Sequence, residues 1–495
     1  MSVPARLQSA IGATPALAQL MPVLVGYPQP HWLVGGVVRD LWLGREITDV
    51  DIAVAADAKP LAKHIHAELG GDIFSLSDRF GTWRVQPAGT SYHVDISVLR
   101  GETIGQDLAQ RDFSVGAMAL AVEPELATNA RLEDPFGGLS DLENNCLRVL
   151  GPAAYEDDAL RPLRAARLAT QLNFVLDDET VALTKRFAGG VATVAAERVF
   201  GELCALLTSD DPVAGVTLLI ELGLADAVLP ELTALDGVTQ SVYHHKDVLG
   251  HTLEVLQHTV WLETNLAEVF GAEADAIASQ LDQPLADDLT RGQALRFAAL
   301  LHDIAKPQTR TVHENGRIGF PAHDREGVRM VHAICKRLHT SEKFSRYIEA
   351  LTLNHLHLGY LVDSKLDRHA IYRYLSTCQP VEVEVGVLSV ADRMATNGRK
   401  AEAAIPAHLA VAHQINQEAL AWRAARDDEP LIRGGELAAA LGIEPGPQLG
   451  ELLGRIDEAR FVGQLTTAQS AIDFARTQVG AAEHQNSLGL DARKD

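Results

Sequence analysis

The chain has 495 residues, too many for a single core, so three or four domains are expected. Hydrophobic residues make up 47% and charged residues 22%, which excludes a disordered or fibrous chain and fits a globular one. A formal charge of −23 excludes a protein that coats nucleic acid indiscriminately, so any RNA partner has to be met by a local basic stripe.

Four cysteines, Cys146, Cys204, Cys335 and Cys378, lie far apart with no CxxC spacing. Neither a disulfide framework nor a zinc knuckle is expected, and a reducing compartment fits. No run reaches the roughly 18 apolar residues of a membrane span, and no signal-peptide pattern opens the chain. A cytoplasmic protein with no membrane partner is expected.

From about 31 to 125, β-like runs alternate with helical ones: HWLVGG, VVRDLWLG, DVDIAVA, AKPLAKHIHAELGG, TWRVQPA, SYHVDISVL and FSVGAMALAV. This predicts an α+β head on a small mixed sheet. From about 150 the pattern turns almost wholly helical. The expected division is a head over 1–150, a helical neck over 151–240, a histidine-rich helical domain over 241–400 and a helical tail over 401–495.

Within the head, Asp49-Val50-Asp51 sits inside an apolar run. On a strand, residues i and i+2 point to the same side, so the two carboxylates emerge together and call for a cation. Phosphoryl transfer at a polyphosphate needs charge neutralisation and in-line placement, which two Mg²⁺ ions supply when carboxylates hold them. Asp95, in the middle of SYHVDISVL, is the candidate third acid, because its burial there is otherwise costly. Gly35-Gly36 lets the backbone approach a triphosphate, with Arg39 and Asp40 on the helix that follows. Taken singly, each element also reads as a glycine turn, a surface ion pair or a solvated edge strand.

The combined pattern GGVVRDLWLGREITDVD resembles the signature of the class II tRNA nucleotidyltransferase and bacterial poly(A) polymerase family, within the DNA polymerase β superfamily. QRDFSVGAMAL, DPFGGLSDLENNCLRVL, YEDDALRPLRAARLATQLNF and VAAERVFGEL are similar to its later motifs in the same order, so the resemblance covers about 31–235. It implies that Arg111 and Asp112 contact the incoming nucleotide and its ribose. It also implies that Asp158 and Arg161 read the base edges of CTP and ATP as a protein template. A carboxylate accepts from an exocyclic amine and an arginine donates to ring acceptors, which is the chemistry such a template needs. Arg161, Arg164 and Arg167 recur every three residues and are expected on one helix face. Glu197 and Arg198 are implied to brace the neck.

Three departures from the family pattern stand out. Only RGETIGQDLAQ separates the third-acid strand from the RDF motif, as in relatives that add only part of the CCA tail. Gly116 stands where the family has Asn. Pro162 follows Arg161, and proline is comfortable only in a helix's first turn, so this helix is expected to start late.

Between 243 and 392 the chain carries His251, His302-Asp303, His323, His355 and Asp392. This string resembles the HD metal-dependent phosphohydrolase superfamily, which implies His251, His302, Asp303 and Asp392 as the basic ligand set and His323 and His355 as ligands of a second metal. Imidazole and carboxylate together suit Mn²⁺, Fe²⁺, Co²⁺ or Ni²⁺. A buried ion pair is the competing account of the His-Asp step. The tail is expected either to meet the tRNA elbow or to serve homodimer formation, a choice the residues leave open.

The leading expectation is a template-independent tRNA nucleotidyltransferase using CTP and ATP, with Asp49, Asp51 and Asp95 as catalytic acids. The alternatives are a CC-only, A-only or poly(A)-adding enzyme, and an HD phosphohydrolase whose head is degenerate.

Overall fold

The computed structural model describes residues 3–77, 81–122, 131–240, 245–362, 364–396, 401–425 and 429–491. The chain divides into two compact units, Met1–Pro230 and Glu231–Asp495. Among the described residues no helix is long and apolar enough to cross a membrane, and none of the four cysteines forms a disulfide.

The first unit opens with two helices that the sequence reading did not anticipate, α1 (Ala5–Ala13) and α2 (Pro15–Val25). Strand β1 (His31–Val34) leads into α3 (Gly36–Leu43), and then come β2 (Asp49–Val54), α4 (Ala58–Leu69), β3 (Asp72–Ser77), β4 (Thr82–Gln86) and β5 (His93–Val98). Helix α5 (Ile104–Ala109), β6 (Ala119–Ala121) and β7 (Arg131–Glu133) complete the head. FSVGAMALAV, read as one strand, is a short 3₁₀ turn at Ser114–Gly116 followed by the three residues of β6.

The seven strands run in the order β3-β4-β5-β2-β1-β6-β7. Strands β2 and β5 are parallel and the other pairs antiparallel. Alternation then sorts the side chains by face. Val50, Val85 and Val94 lie in one cross-strand row, are fully buried, and belong to the face that α4 covers. Asp51, Asp95, Arg84 and Phe74 are register partners in sequence across β2, β5, β4 and β3, so they share the opposite face. Farther along β2 that face closes over Ala53, which packs with Val34, Leu108 and Ala117.

YEDDALRPLRAARLATQLNF forms two helices, with the late start expected from Pro162. A helix over Pro152–Asp157 ends at Asp158, whose backbone is extended, and α6 (Arg161–Leu172) then starts with Pro162 in its first turn. The proline needs no N–H there, which is why it can start the helix and cannot continue the one before. Helices Ala196–Leu207 and Pro212–Glu221 pack on α6.

The second unit is helical. Helix α7 (Val248–Phe270) packs on α8 (Arg291–Leu301), while α9 (His323–Arg337) packs on α10 (Glu342–Asn354). Helix α11 (Glu382–Met394) lies against α7 and the helix Ala401–Ala424. A last core of Leu437, Leu449, Leu452, Ile456, Ala471 and Ala475 joins three C-terminal helices.

Candidate nucleotidyl-transfer cleft and metal centre

In the first unit, β1 ends at Gly35, whose φ of +69° is a left-handed conformation that glycine adopts without strain. A Cβ at this position would lie 2.8 Å from Arg111 Nη1 and 3.1 Å from Asp51 Oδ2. The missing side chain therefore lets a cation, an acid and the N-terminus of α3 converge. Arg111 is aimed by Asp107, a buried acid one helical turn earlier that accepts from its Nε at 3.1 Å and its Nη2 at 3.0 Å.

A cleft of about 410 Å³ opens at this point. Gly35, Gly36, Arg39, Asp40, Asp49, Asp51, Arg111, Asp112, Gly116, Arg161, Arg164 and Arg167 all line it. Arg100 lines it too, so six arginines face one cavity in an acidic protein. Five acids, Asp40, Glu46, Asp49, Asp51 and Asp112, line it as well, so the basic stripe is interleaved with carboxylates. Arg39 pairs with Asp40 at 2.8 Å, and Arg164 lies 3.5 Å from Asp112 and 3.6 Å from Glu202. Arg161 is buried and donates to the carbonyls of Ala154 and Gln110, both at 2.9 Å.

Asp158 and Asp95 do not line the cleft. Arg198 takes the Asp158 carboxylate at 2.7 Å, with the Leu160 N–H on its other oxygen. Burial opposes the Asp158 charge, yet Arg198 and that N–H hold the carboxyl below its usual range. Asp95 is gripped bidentately by Arg84 at 2.7 and 2.6 Å. His93 meets Asp49. Burial pushes the Asp51 carboxyl up, with Asp95 and Asp49 adding to the shift and Arg111 opposing it.

In the second unit, Asp303 sits at the centre of four histidines. Its Oδ2 lies 3.1 Å from His302 Nε2 and 3.7 Å from His251 Nε2, and its Oδ1 lies 3.3 Å from His323 Nε2 and 3.8 Å from His355 Nε2. Asp392 closes one side, 3.0 Å from His251 Nε2. The Nδ1 atoms of His302, His323 and His355 each face a backbone carbonyl, at 2.9, 2.8 and 2.7 Å. That fixes the tautomer and leaves each Nε2 as the inward donor, as in the outer shell of metal-binding histidines. His355 is pushed down to about 4 by burial and the nearby His302, so its ring is neutral at pH 7. Burial works against the Asp303 charge, but His302 and Lys306 hold the carboxyl well below its usual range.

Among the described residues, three-donor groups within 4.8 Å occur at His251-His302-Asp303 and at Asp303-His323-His355. The donors suit a divalent transition ion, and one carboxylate shared by two groups is the arrangement of a two-metal site. Asp49, Asp51 and Asp95 form no such group, since His93 and Arg84 draw two of them aside. Sequence reasoning missed Arg84, Arg100, Asp107 and Lys306. The alternation of TWRVQ was enough to put Arg84 on the polar face; nothing local marked Asp107, which the one-turn spacing to Arg111 explains only afterwards.

A mixed sheet with paired acids beside a glycine turn, an arginine-lined cleft and a helical extension defines a polymerase β-like nucleotidyltransferase head and neck, and the histidine cluster defines an HD centre. Family models agree: the poly(A) polymerase head domain matches residues 31–148, the probable RNA- and SrmB-binding region of polymerase A matches 173–235, and the HD domain matches 248–397. The chain is 34% identical to the A-adding tRNA nucleotidyltransferase of Deinococcus radiodurans, over 92% of this chain and 97% of that one. It is 31% identical to the CC-adding tRNA nucleotidyltransferase of Thermus thermophilus, over 93% and 96%. The fold is similar to that of the Thermotoga maritima CCA-adding enzyme complexed with tRNA, with a TM-score of 0.60 and 19% identity over 97% of this chain and 100% of that one. The protein belongs to the tRNA nucleotidyltransferase and poly(A) polymerase family.

Proposed function

We propose that the protein adds C, A or both to the 3′ end of tRNA from CTP and ATP, in the cytoplasm, with release of pyrophosphate. The observation that carries this reading is the meeting of Asp51, Arg111 and the left-handed Gly35 at the mouth of a cleft lined by six arginines. Relatives that the chain matches nearly end to end are named for A addition and for CC addition. Asp49 and Asp51, with Asp95, are assigned to divalent-ion binding; their hard oxygen donors suit Mg²⁺, which would neutralise the triphosphate.

Gly35, Gly36 and Arg39 are assigned to the triphosphate, and Arg111, Asp112, Arg161 and Arg164 to ribose and base. Asp158 reaches a base only by exchanging Arg198. The four-part division at 150, 240 and 400 goes with this assignment, since it separates phosphate chemistry, base reading and hydrolysis. The test is extension of three tRNAs, ending before the first C, after it and after the second C, with labelled CTP or ATP. Extension of the first two alone marks a CC-adding enzyme, and of the third alone an A-adding one. No extension of any overturns the reading.

A second activity is favoured by the inward Nε2 donors around Asp303. His251, His302, Asp303 and Asp392 are assigned to one metal and His323 and His355 to a second, as Mn²⁺, Fe²⁺, Co²⁺ or Ni²⁺, which when bound would activate water against a phosphoester. Hydrolysis of p-nitrophenyl phosphate or a 2′,3′-cyclic nucleotide with each metal tests it.

A further inference from the structure

The sheet row that carries the acids continues past them. Asp51, Asp95, Arg84 and Phe74 follow one another across β2, β5, β4 and β3 on the face that α4 does not cover. Phe74 is 45% exposed on the edge strand, and of six exposed large hydrophobic residues among those described it is the one in register with the acids. Arg84 spends Nε and Nη2 on Asp95. Its Nη1 has no hydrogen-bond partner among the described residues.

In-line displacement fixes which substrate lies where. The attacking hydroxyl and the leaving pyrophosphate must stand on opposite sides of the α-phosphate. Gly35 and Arg111 approach Asp51 from the β1 side, which assigns that side to the triphosphate and its leaving group. The nucleophile then arrives over the other neighbours of β2, which are β5, β4 and β3. Phe74 stands two strand spacings, roughly 10 Å, from Asp95, within reach of the last nucleotide or the one before it. An aromatic face beside a guanidinium is a platform for single-stranded nucleic acid, because every base can stack and every nucleotide brings a phosphate.

Resting on the reading of the head as a tRNA nucleotidyltransferase, we infer that Phe74 and Arg84 form the subsite for the single-stranded 3′ end of the acceptor RNA. Phe74 stacks a terminal base. Arg84 offers Nη1 to the adjoining phosphodiester and, through its fork on Asp95, positions that acid.

The test compares steady-state extension of tailless tRNA by the wild type, Phe74→Ala, Phe74→Trp and Arg84→Lys. Loss of one stacked base predicts a rise in the KM for tRNA of roughly tenfold for Phe74→Ala, with the KM for CTP or ATP and the thermal midpoint unchanged. Phe74→Trp restores wild-type values. Arg84→Lys keeps the charge and loses the fork, so kcat falls as well. A benzophenone amino acid at position 74 cross-links to the last two nucleotides of end-labelled tRNA. An unchanged tRNA KM in Phe74→Ala, or a cross-link only within the stem, overturns the subsite while leaving nucleotidyl transfer in place. A changed oligomeric state with unchanged tRNA KM overturns it in favour of a protein interface. A wild type that extends no tRNA yet forms the 3′-end adduct overturns the activity and keeps the subsite.

Discussion

Asp51 combines three costs: burial desolvates it, it stands beside two like charges, and the guanidinium that most opposes the shift, Arg111, is shared with Asp107. Burial and like charge both disfavour an ionised carboxylate, and a bound divalent ion relieves both. Replacing it by an isosteric amide removes the ligand and also the repulsion. Asp51→Asn is therefore expected to lower CTP or ATP incorporation by at least about a hundredfold, in the range seen for removing a key electrostatic group. Its thermal midpoint should be unchanged or raised. A normal rate, measured with saturating Mg²⁺, would exclude Asp51 as a ligand. Gly35 makes a complementary prediction. Gly35→Ala places a methyl 2.8 Å from Arg111 Nη1 at a φ of +69°, so the guanidinium has to shift. The KM for the nucleotide is expected to rise roughly tenfold, within the 1–3 kcal/mol that such strain costs, while tRNA binding measured by filter retention stays constant.

Elements were legible where a strong local rule acted and illegible where tertiary context decided. The DVD alternation put Asp49 and Asp51 on one face, and the sheet register agrees. The order of the histidine string was enough to mark the HD domain, and the structure brings His251, His323 and His355 to His302 and Asp303 at the end of a buried helix. By contrast, Asp158 looks like any other residue of an acidic helix; its partner Arg198 comes from a helix 40 residues later, and no local periodicity reports that pairing. His408 shows the same limit. It lies on a long, only weakly amphipathic helix, yet it is 2% exposed and 3.0 Å from the Ser389 hydroxyl on α11. Burial, with Arg393 adding to it, pushes its pKa down to about 4 from an ordinary 6.5.

The native state therefore keeps His408 neutral, while the unfolded chain binds a proton below pH 6.5. Its contribution to stability is constant above that pH, falls as pH drops from 6.5 to about 4, and is flat below. At pH 5 the loss from this residue is about 2 kcal/mol, at 1.36 kcal/mol per pH unit. Urea unfolding of His408→Leu should show a correspondingly smaller difference between pH 7 and pH 5 than the wild type. An identical difference in the two proteins would show that the ring is not buried neutral.

At the scale of the whole molecule, the two candidate centres offer different donor sets, and that makes the two proposed activities separable. The head offers oxygen donors from Asp49, Asp51 and Asp95, which suit a hard ion that keeps its waters. The second unit offers four imidazoles around two carboxylates, which suit a softer ion with higher affinity. Exhaustive chelation should stop both activities. Added Mg²⁺ should restore tRNA extension alone, whereas Mn²⁺, Co²⁺ or Ni²⁺ should restore phosphoester hydrolysis. Asp303 is the carboxylate both three-donor groups share, so His302→Ala together with Asp303→Asn should abolish hydrolysis and reduce the bound transition metal measured by mass spectrometry, with tRNA extension within about twofold of wild type. Asp51→Asn should do the reverse. If the HD variant lost tRNA extension while its circular dichroism and thermal midpoint matched the wild type, the centres would be coupled, and the His251-His302-Asp303 cluster would have to be counted as part of nucleotidyl transfer rather than as a second active site.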